Sequence, residues 1–525
     1  MLLENIAAGF GLMMDPALWA VILMAGVYGL FIGSIPGLTA TMATALLVPF
    51  AFFLDPLPAI AAIVTMSAVA IFAGDLPGAL VRMPGTPASA AYVEDAYRLT
   101  QAGKGGLVLG VGMICSAIGG LIGVAALMFG APLLAEVALR FTSFEYFWVS
   151  VLGLSAAVII SRGSQVKGSI ALLIGLVLSM VGIDITLGAP RFTFGSTDLL
   201  SGIDFIPAMI GLFGFSEILR NVTGTQLAAA AGKLDMTRFF RNALSTIWRY
   251  KRHIPRGGAI GTGIGMLPGA GADIAAWVAY ASTKNTSKEG HRFGKGEGHI
   301  EPIVAASSTN NAGLASAYVP TLVFGIPGDT ITAILIGVLY MKGMQPGSQI
   351  FVEQPDLVYA VYLTFLVANL LLLPLAYIAI RSSGLLLRIP RNVLMSIIFV
   401  FCVVGAYAIR NNTFDIWVML AMGLLGFAME RNGFPVAPVV LGIVLGPIVE
   451  RSFMQSVIAT NWDLLRFFTR PISAILLVMT VFIWALPLIQ PLLARLWRRR
   501  RGLPEDGETP VEQQVGDDAR GDGAG

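Results

Sequence analysis

Two stretches of this chain, Ala17 to Leu54 and Gly105 to Ala135, run without a single charged side chain. Each is longer than the ~20 apolar residues that carry an α-helix across the hydrocarbon core of a bilayer. Only 12% of the 525 residues are charged and 56% are hydrophobic, against about 25% charged in a soluble domain. A water-soluble globule is thereby excluded. By the same length criterion, roughly 11–13 apolar runs lie between Ala17 and Ala494, and the expected fold class is an all-α polytopic membrane protein embedded in a lipid bilayer.

The formal net charge of +3 does not point to nucleic acid, because the basic residues flank membrane runs instead of covering one soluble face. Cys115 and Cys402 sit inside apolar runs and read as small core residues, without a disulfide or redox role. His253, His291 and His299 show no ligand spacing with Cys or with one another, so no metal or cofactor is expected. The first residues carry Glu4 where a signal peptide has Lys or Arg, and no A-x-A site follows. This segment is expected to be retained.

Basic clusters set the expected topology. Arg220, Lys233, Arg238, Arg241, Arg249, Lys251, Arg252 and Arg256 face a single Asp235, and Arg495 to Arg501 directly follow the last apolar run. Both are expected on the cytoplasmic side of the membrane, with the C-terminus inside. The resulting division is a first repeat half (1–219), a basic connector (220–256) containing a surface helix, a second half (257–390), further membrane segments (391–501) and a disordered tail (502–525).

Pro-Gly dipeptides recur at matching places. Pro36-Gly37 opens the pattern and Pro84-Gly85 closes it in the first half; Pro268-Gly269 and Pro327-Gly328 do so in the second, and both closing elements read P-x6-P-G. Proline removes a backbone donor and glycine removes the side chain that would cover the freed carbonyls, so each pair breaks a helix at membrane depth. Open backbone there is tolerated only inside protein or against a polar cavity, and paired breaks in two halves mark the binding site of a secondary transporter. Two related halves are expected, with inverted topology favoured. Between Arg256 and Lys284 the sole charge is Asp273, and two basic flanks favour a re-entrant hairpin over a single crossing.

Ionisable residues at membrane depth are costly and face cavities. Asp75 and Arg82, seven apart, either pair with one another, or Arg82 binds a substrate carboxylate through its planar fork. Asp273 and Asp329 are placed to cap the half-helices after their breaks, to bind a coupling ion, or to do both. Around the breaks lie Ser34, Thr39, Thr41, Thr86, Ser89, Asn310, Asn311, Thr330 and Thr332, which either complete an anion site at half-helix N-termini or hydrogen-bond between helices. Gly37, Gly85, Gly269 and Gly328 supply open backbone at the same places. Motifs of hydrolase, zinc-protease or nucleotide chemistry are missing from the sequence. A stand-alone carrier or a channel is the alternative, and a membrane enzyme a more remote one.

Gly33-Ser34-Ile35-Pro36-Gly37-Leu38, Met83-Pro84-Gly85-Thr86-Pro87, the run Leu267 to Ala276, Phe293-Gly294-Lys295-Gly296, Asn310-Asn311-Ala312, Gly325-Ile326-Pro327-Gly328 and Gly343-Met344-Gln345-Pro346-Gly347 follow one another in that order. Over these segments the chain resembles the large membrane subunit of the tripartite tricarboxylate transporter family. The resemblance implies a permease working with a small membrane subunit and a periplasmic solute-binding protein, taking up small carboxylates on a Na⁺ or H⁺ gradient. It departs from the family pattern at Ser307, where similar proteins carry Glu, and at Pro302, where they carry Gly. Ala73-Gly74-Asp75 also stands where a Gly-Gly-Ser-like run is expected, making Asp75 a compensating or substrate-specific carboxylate.

Overall fold

The computed structural model describes residues 2–485 apart from 161–163, 185, 187, 224–233, 235 and 387–390. The Arg495 to Arg501 cluster, the tail and parts of the connector lie outside the described residues. Among those described, six helices are long and apolar enough to cross a membrane: Pro16–Gly33, Pro56–Val81, Val93–Ala138, Pro355–Ser383, Thr413–Arg431 and Ala437–Ala459. Apolar helices of 10–17 residues, among them Ala40–Phe52 and Thr330–Met341, lie beside them. Strand is limited, among the described residues, to Gly182–Ile183 paired with Pro190–Arg191. Exposed Trp19, Leu23, Leu133, Leu173, Trp417 and Val478 belong to the outward, lipid-facing surface that such an all-α membrane protein presents.

The Pro-Gly pairs turn two helices into hairpins. Pro16–Gly33 ends at the Pro36-Gly37 break and Ala40–Phe52 returns beside it, with the Tyr28 hydroxyl donating to Ala43 O at 3.1 Å. His253–Gly265 ends at the Pro268-Gly269 break and Gly271–Thr286 returns. The base of this second hairpin is closed by Arg256, which donates to Thr286 Oγ1 at 2.6 Å and Ser282 Oγ at 2.5 Å. Both strongly basic flanks of the segment therefore lie at one end, as a re-entrant hairpin requires. His299, at the same end, lies 2.9 Å from Glu289 and holds that carboxyl below its usual range.

The hairpins open toward opposite ends. Gly105–Ala138 spans 34 residues, about 51 Å at 1.5 Å per residue. At its start Lys104 pairs with Glu297 and Arg98 donates to Gly296 O, in the loop that follows the second hairpin. At its finish Ala138 shares a cleft with Phe52, Phe324 and Met341, and Lys342 donates to the Phe52 and Leu54 carbonyls that end the first hairpin. One hairpin is thus inverted relative to the other.

Glycine stripes seat each hairpin on a long helix, in identical register. A Cβ built on Gly29 would lie 2.3 Å from Met66 O, and one on Gly33 would lie 2.6 Å from Ala70 O. A Cβ on Gly261 would lie 2.4 Å from Thr309 O, and one on Gly265 would lie 2.5 Å from Gly313 O. Gly29 and Gly261 each precede their opening proline by seven residues, and Gly33 and Gly265 by three. Met66 and Thr309 each precede their closing proline by 18, and Ala70 and Gly313 by 14. Lipid gives no hydrophobic drive for helices to associate, so this close backbone approach, with its dispersion contacts, supplies the attraction. Where Pro56–Ala73 passes Glu301–Phe324, Asn311 Nδ2 donates to Ala68 O at 3.4 Å. Those two positions are also equivalent, each 16 residues before its closing proline.

Candidate functional site

The four breaks meet in a ring. Gly85 N donates to Gly74 O at 3.0 Å, and a Cβ at Gly85 would lie 3.1 Å from Gly33 O, which joins the first two breaks. Gly269 N donates to Pro327 O at 3.2 Å, joining the second two. Across the halves, Thr41 Oγ1 lies 3.0 Å from Thr330 Oγ1, and Ala88 N donates to Asp273 Oδ1 at 3.1 Å. Gly37 and Gly269, at φ +91° and +78°, take the left-handed turn that each hairpin tip needs. Pro36, Thr39, Thr41, Pro268, Asp273, Asp329 and Thr330 are only half-buried although they lie between the halves. The polar face between the halves is therefore partly accessible.

Three helices of more than two turns start at this ring: Ala40–Phe52, Gly271–Thr286 and Thr330–Met341. Their first-turn amides lack intrahelical partners and carry the positive end of the dipole, which suits an anion. Side chains cap two of these starts. Thr39 Oγ1 accepts from Met42 N at 3.2 Å, and Asp329 forms a capping box with Thr332, accepting from its amide at 2.8 Å. Thr86 and Ser89 cap one another's amides at 3.2 and 3.0 Å, which shapes the strand of chain after Pro84-Gly85. Ser34 Oγ turns back to Leu30 O at 2.6 Å. Gly328 is buried at the ring, pressed on Ala317 as Gly85 is on Gly74.

Several expected roles change. Asp273 does not cap its own helix: Ala270 is the N-cap residue, without a side-chain cap bond, and Asp273 in the first turn binds the amide of Ala88 across the ring. Asp75 and Arg82 do not pair. Arg82 takes the left-handed conformation (φ 59°) that ends Asp75–Val81, which swings its side chain off the helix face and out to an exposed bridge with Glu94 at 2.8 Å. The structure thus places Arg82 outside the ring. Asn310 and Asn311 lie fully buried in Glu301–Phe324 instead of on that partly accessible face.

Behind the ring the structure gathers groups the sequence left apart. Asp75 Oδ1 accepts from the Tyr92 hydroxyl at 2.6 Å, and Tyr92 lies beside Ser307 and Asn310. Asp75 and Ser307, two of the positions at which the chain departs from the family pattern, are thus neighbours. Tyr92 had no sequence signal, being 17 residues from Asp75 with a break between. Trp277, whose Nε1 donates to Pro87 O at 3.1 Å, had none either. Among the described residues, no group of three His, Cys, Asp or Glu side chains gathers to hold a metal ion.

Inverted hairpins around a polar face are transporter architecture, and the comparisons decide which kind. The model of the tripartite tricarboxylate transporter TctA family matches residues 19–441. The chain belongs to that family. As a TctA-family member it is a multi-pass large subunit of a tricarboxylate transporter. An uncharacterised 52.8 kDa protein in the TAR-I ttuC' 3' region of Agrobacterium vitis is 32% identical over 476 residues, covering 91% of this chain and 94% of its own length. An uncharacterised protein in the TAR-II ttuC' 3' region of the same organism is 35% identical over 217 residues, 41% of this chain and 89% of its own. No solved structure matches the chain.

Proposed function

We propose that this TctA-family chain is the inner-membrane permease of a binding-protein-dependent secondary transporter. It imports small carboxylates of the tricarboxylate type by alternating access on a Na⁺ or H⁺ gradient. The observation that carries this is the ring: the tips of two inverted hairpins meet two further helix breaks, with half-exposed polar residues between the halves of an apolar protein. An anion entering it meets the positive ends of three half-helices together with Thr39, Thr41 and Thr330, with Thr86 and Ser89 behind them, near the backbone of Gly37, Gly85, Gly269 and Gly328.

The basic loops at the Arg256 end favour the cytoplasm for that side, and so the periplasm for the Phe52 end. There a cleft of about 950 Å³ lined by Tyr146, Asp204, Gln345, Ser348 and Arg451 reaches Gly325, two residues before Pro327. It is a suitable mouth for solute handed over by a periplasmic binding protein, with the small membrane subunit bound alongside.

Uptake of radiolabelled citrate into proteoliposomes tests this. With both partner proteins and an inward Na⁺ or H⁺ gradient, accumulation is expected, and it should vanish when the gradient is collapsed or the binding protein omitted. Gradient-independent equilibration by the chain alone would establish a channel and overturn the proposal.

A further inference from the structure

We propose that Asp75, Ser307 and Asn310 form a sodium-ion site directly behind the ring. As a coupling site it rests on the transporter function proposed above; as a binding site it stands on its own geometry. Asp75 is 7% exposed, Ser307 0% and Asn310 1%. Tyr92 is the hydrogen-bonding side chain that meets Asp75, and it occupies Oδ1. Ser307 Oγ and Asn310 Oδ1 are buried and have no hydrogen-bond partner within 3.5 Å, although both side chains lie against the Tyr92 hydroxyl. A Cβ built on Gly112 would lie 3.7 Å from both Asp75 Oδ2 and Ser307 Oγ and 3.8 Å from the Phe72 ring. Both oxygens therefore border one small space beside Gly112.

The chemistry of these atoms selects the ligand. Asp75 Oδ2 and Asn310 Oδ1 only accept, and a buried acceptor without a donor is costly. An anion would bring further acceptors. A proton on Asp75 would neutralise the carboxylate and give Ser307 Oγ a donor, so protonation is the competing occupant, which the pH and sodium arms of the test separate. A small, hard cation satisfies all three and offsets the buried charge.

The repeat supplies an independent observation. Asp75 and Tyr318 occupy equivalent places, each nine residues before its closing proline. Since the second half packs with a tyrosine there, the duplicated architecture does not itself require a carboxylate.

The site is placed to act on the ring. Asp75 directly follows Gly74, whose carbonyl holds Gly85, and Tyr92 ends the segment that carries Thr86, Ala88 and Ser89. A cation bound between Asp75, Ser307 and Asn310 fixes both ends of that segment. Sodium loading thereby organises one wall of the anion site.

The test measures thermal unfolding of the purified chain titrated with NaCl, against choline chloride at equal ionic strength. Wild type is expected to show a saturable, sodium-specific rise in melting temperature. Asp75→Asn should abolish it, and Ser307→Ala should weaken apparent affinity by about ten- to a hundredfold, the loss of one ligand to a charged group. Gly112→Ala fills the space with a methyl at ordinary contact distances, so it should remove the sodium response while melting no lower than wild type in choline. If Asp75→Asn does not fold, Gly112→Ala decides.

A wild type that does not distinguish sodium from choline overturns the proposal. So does a sodium response that survives in Gly112→Ala, or stabilisation that follows pH and ignores sodium. Lost sodium binding with citrate uptake intact would remove this site and leave the transporter; sodium binding with no gradient-driven uptake would do the reverse.

Discussion

Gly261→Ala is the most direct perturbation of the hairpin seat. The added Cβ would lie 2.4 Å from Thr309 O, 2.9 Å from Ala312 Cβ and 3.1 Å from Gly313 N. Two of those three atoms are backbone, so no rotamer change relieves them, and the helices must part by about 1 Å to restore ordinary contact. Overpacking of this kind costs about 1–3 kcal/mol. The upper figure applies here, because Gly257 and Gly265 continue the same stripe and lose their close contacts together. Alanine recovers about 1 kcal/mol of helix propensity, which leaves a net destabilisation of about 2 kcal/mol. Gly263 lies on the same helix, and a Cβ there meets nothing within 4 Å; Gly263→Ala should keep the propensity gain of about 1 kcal/mol. Unfolding of both variants in detergent, followed by tryptophan fluorescence, should place Gly261→Ala below wild type and Gly263→Ala level with it or above. Equal melting of the two, or the reverse order, would refute the idea that close backbone approach seats the hairpins.

Cysteines at Lys288 and Phe53, both exposed and at opposite ends of the protein, should react with an impermeant maleimide from opposite sides of the membrane, Phe53→Cys from the periplasm. Native Cys115 and Cys402 are buried and should stay silent; labelling of both positions from one side would contradict the inversion. Asp273→Asn keeps an acceptor for the Ala88 amide and should transport citrate with unchanged sodium dependence, whereas Asp273→Ala leaves that amide unsatisfied at about 1–3 kcal/mol and should slow uptake. A lost sodium dependence in Asp273→Asn would move the coupling charge from Asp75 to Asp273.

The membrane class was legible because charge is the costliest thing to place in lipid, and Ala17 to Leu54 has none. The breaks were legible because Pro-Gly has few other uses inside an apolar run. The glycine stripes were also there to be found, since Gly29 and Gly33 stand from Pro36 as Gly261 and Gly265 stand from Pro268. They escape notice because glycine is so common in such a chain, and only the partner carbonyls show which ones touch. Arg82 misled for a backbone reason: helical spacing puts it on the face of Asp75, and one left-handed residue cancels the spacing. Pairings such as Asp75 with Tyr92 or Asp273 with Ala88 depend on how breaks fold over one another, and no local periodicity encodes that.

The bond from Asn311 to Ala68 joins two equivalent positions of the repeat. Two separate copies of one half, assembled in opposite orientations, would bring a residue against itself at that point, and any mutation would appear on both faces at once. Joined in a single chain, the halves escape that constraint. An alanine now faces an asparagine there, and an aspartate in one half answers a tyrosine in the other. Fusion therefore allows a two-fold scaffold to hold a single charge at Asp75, where an unfused pair would have to hold two.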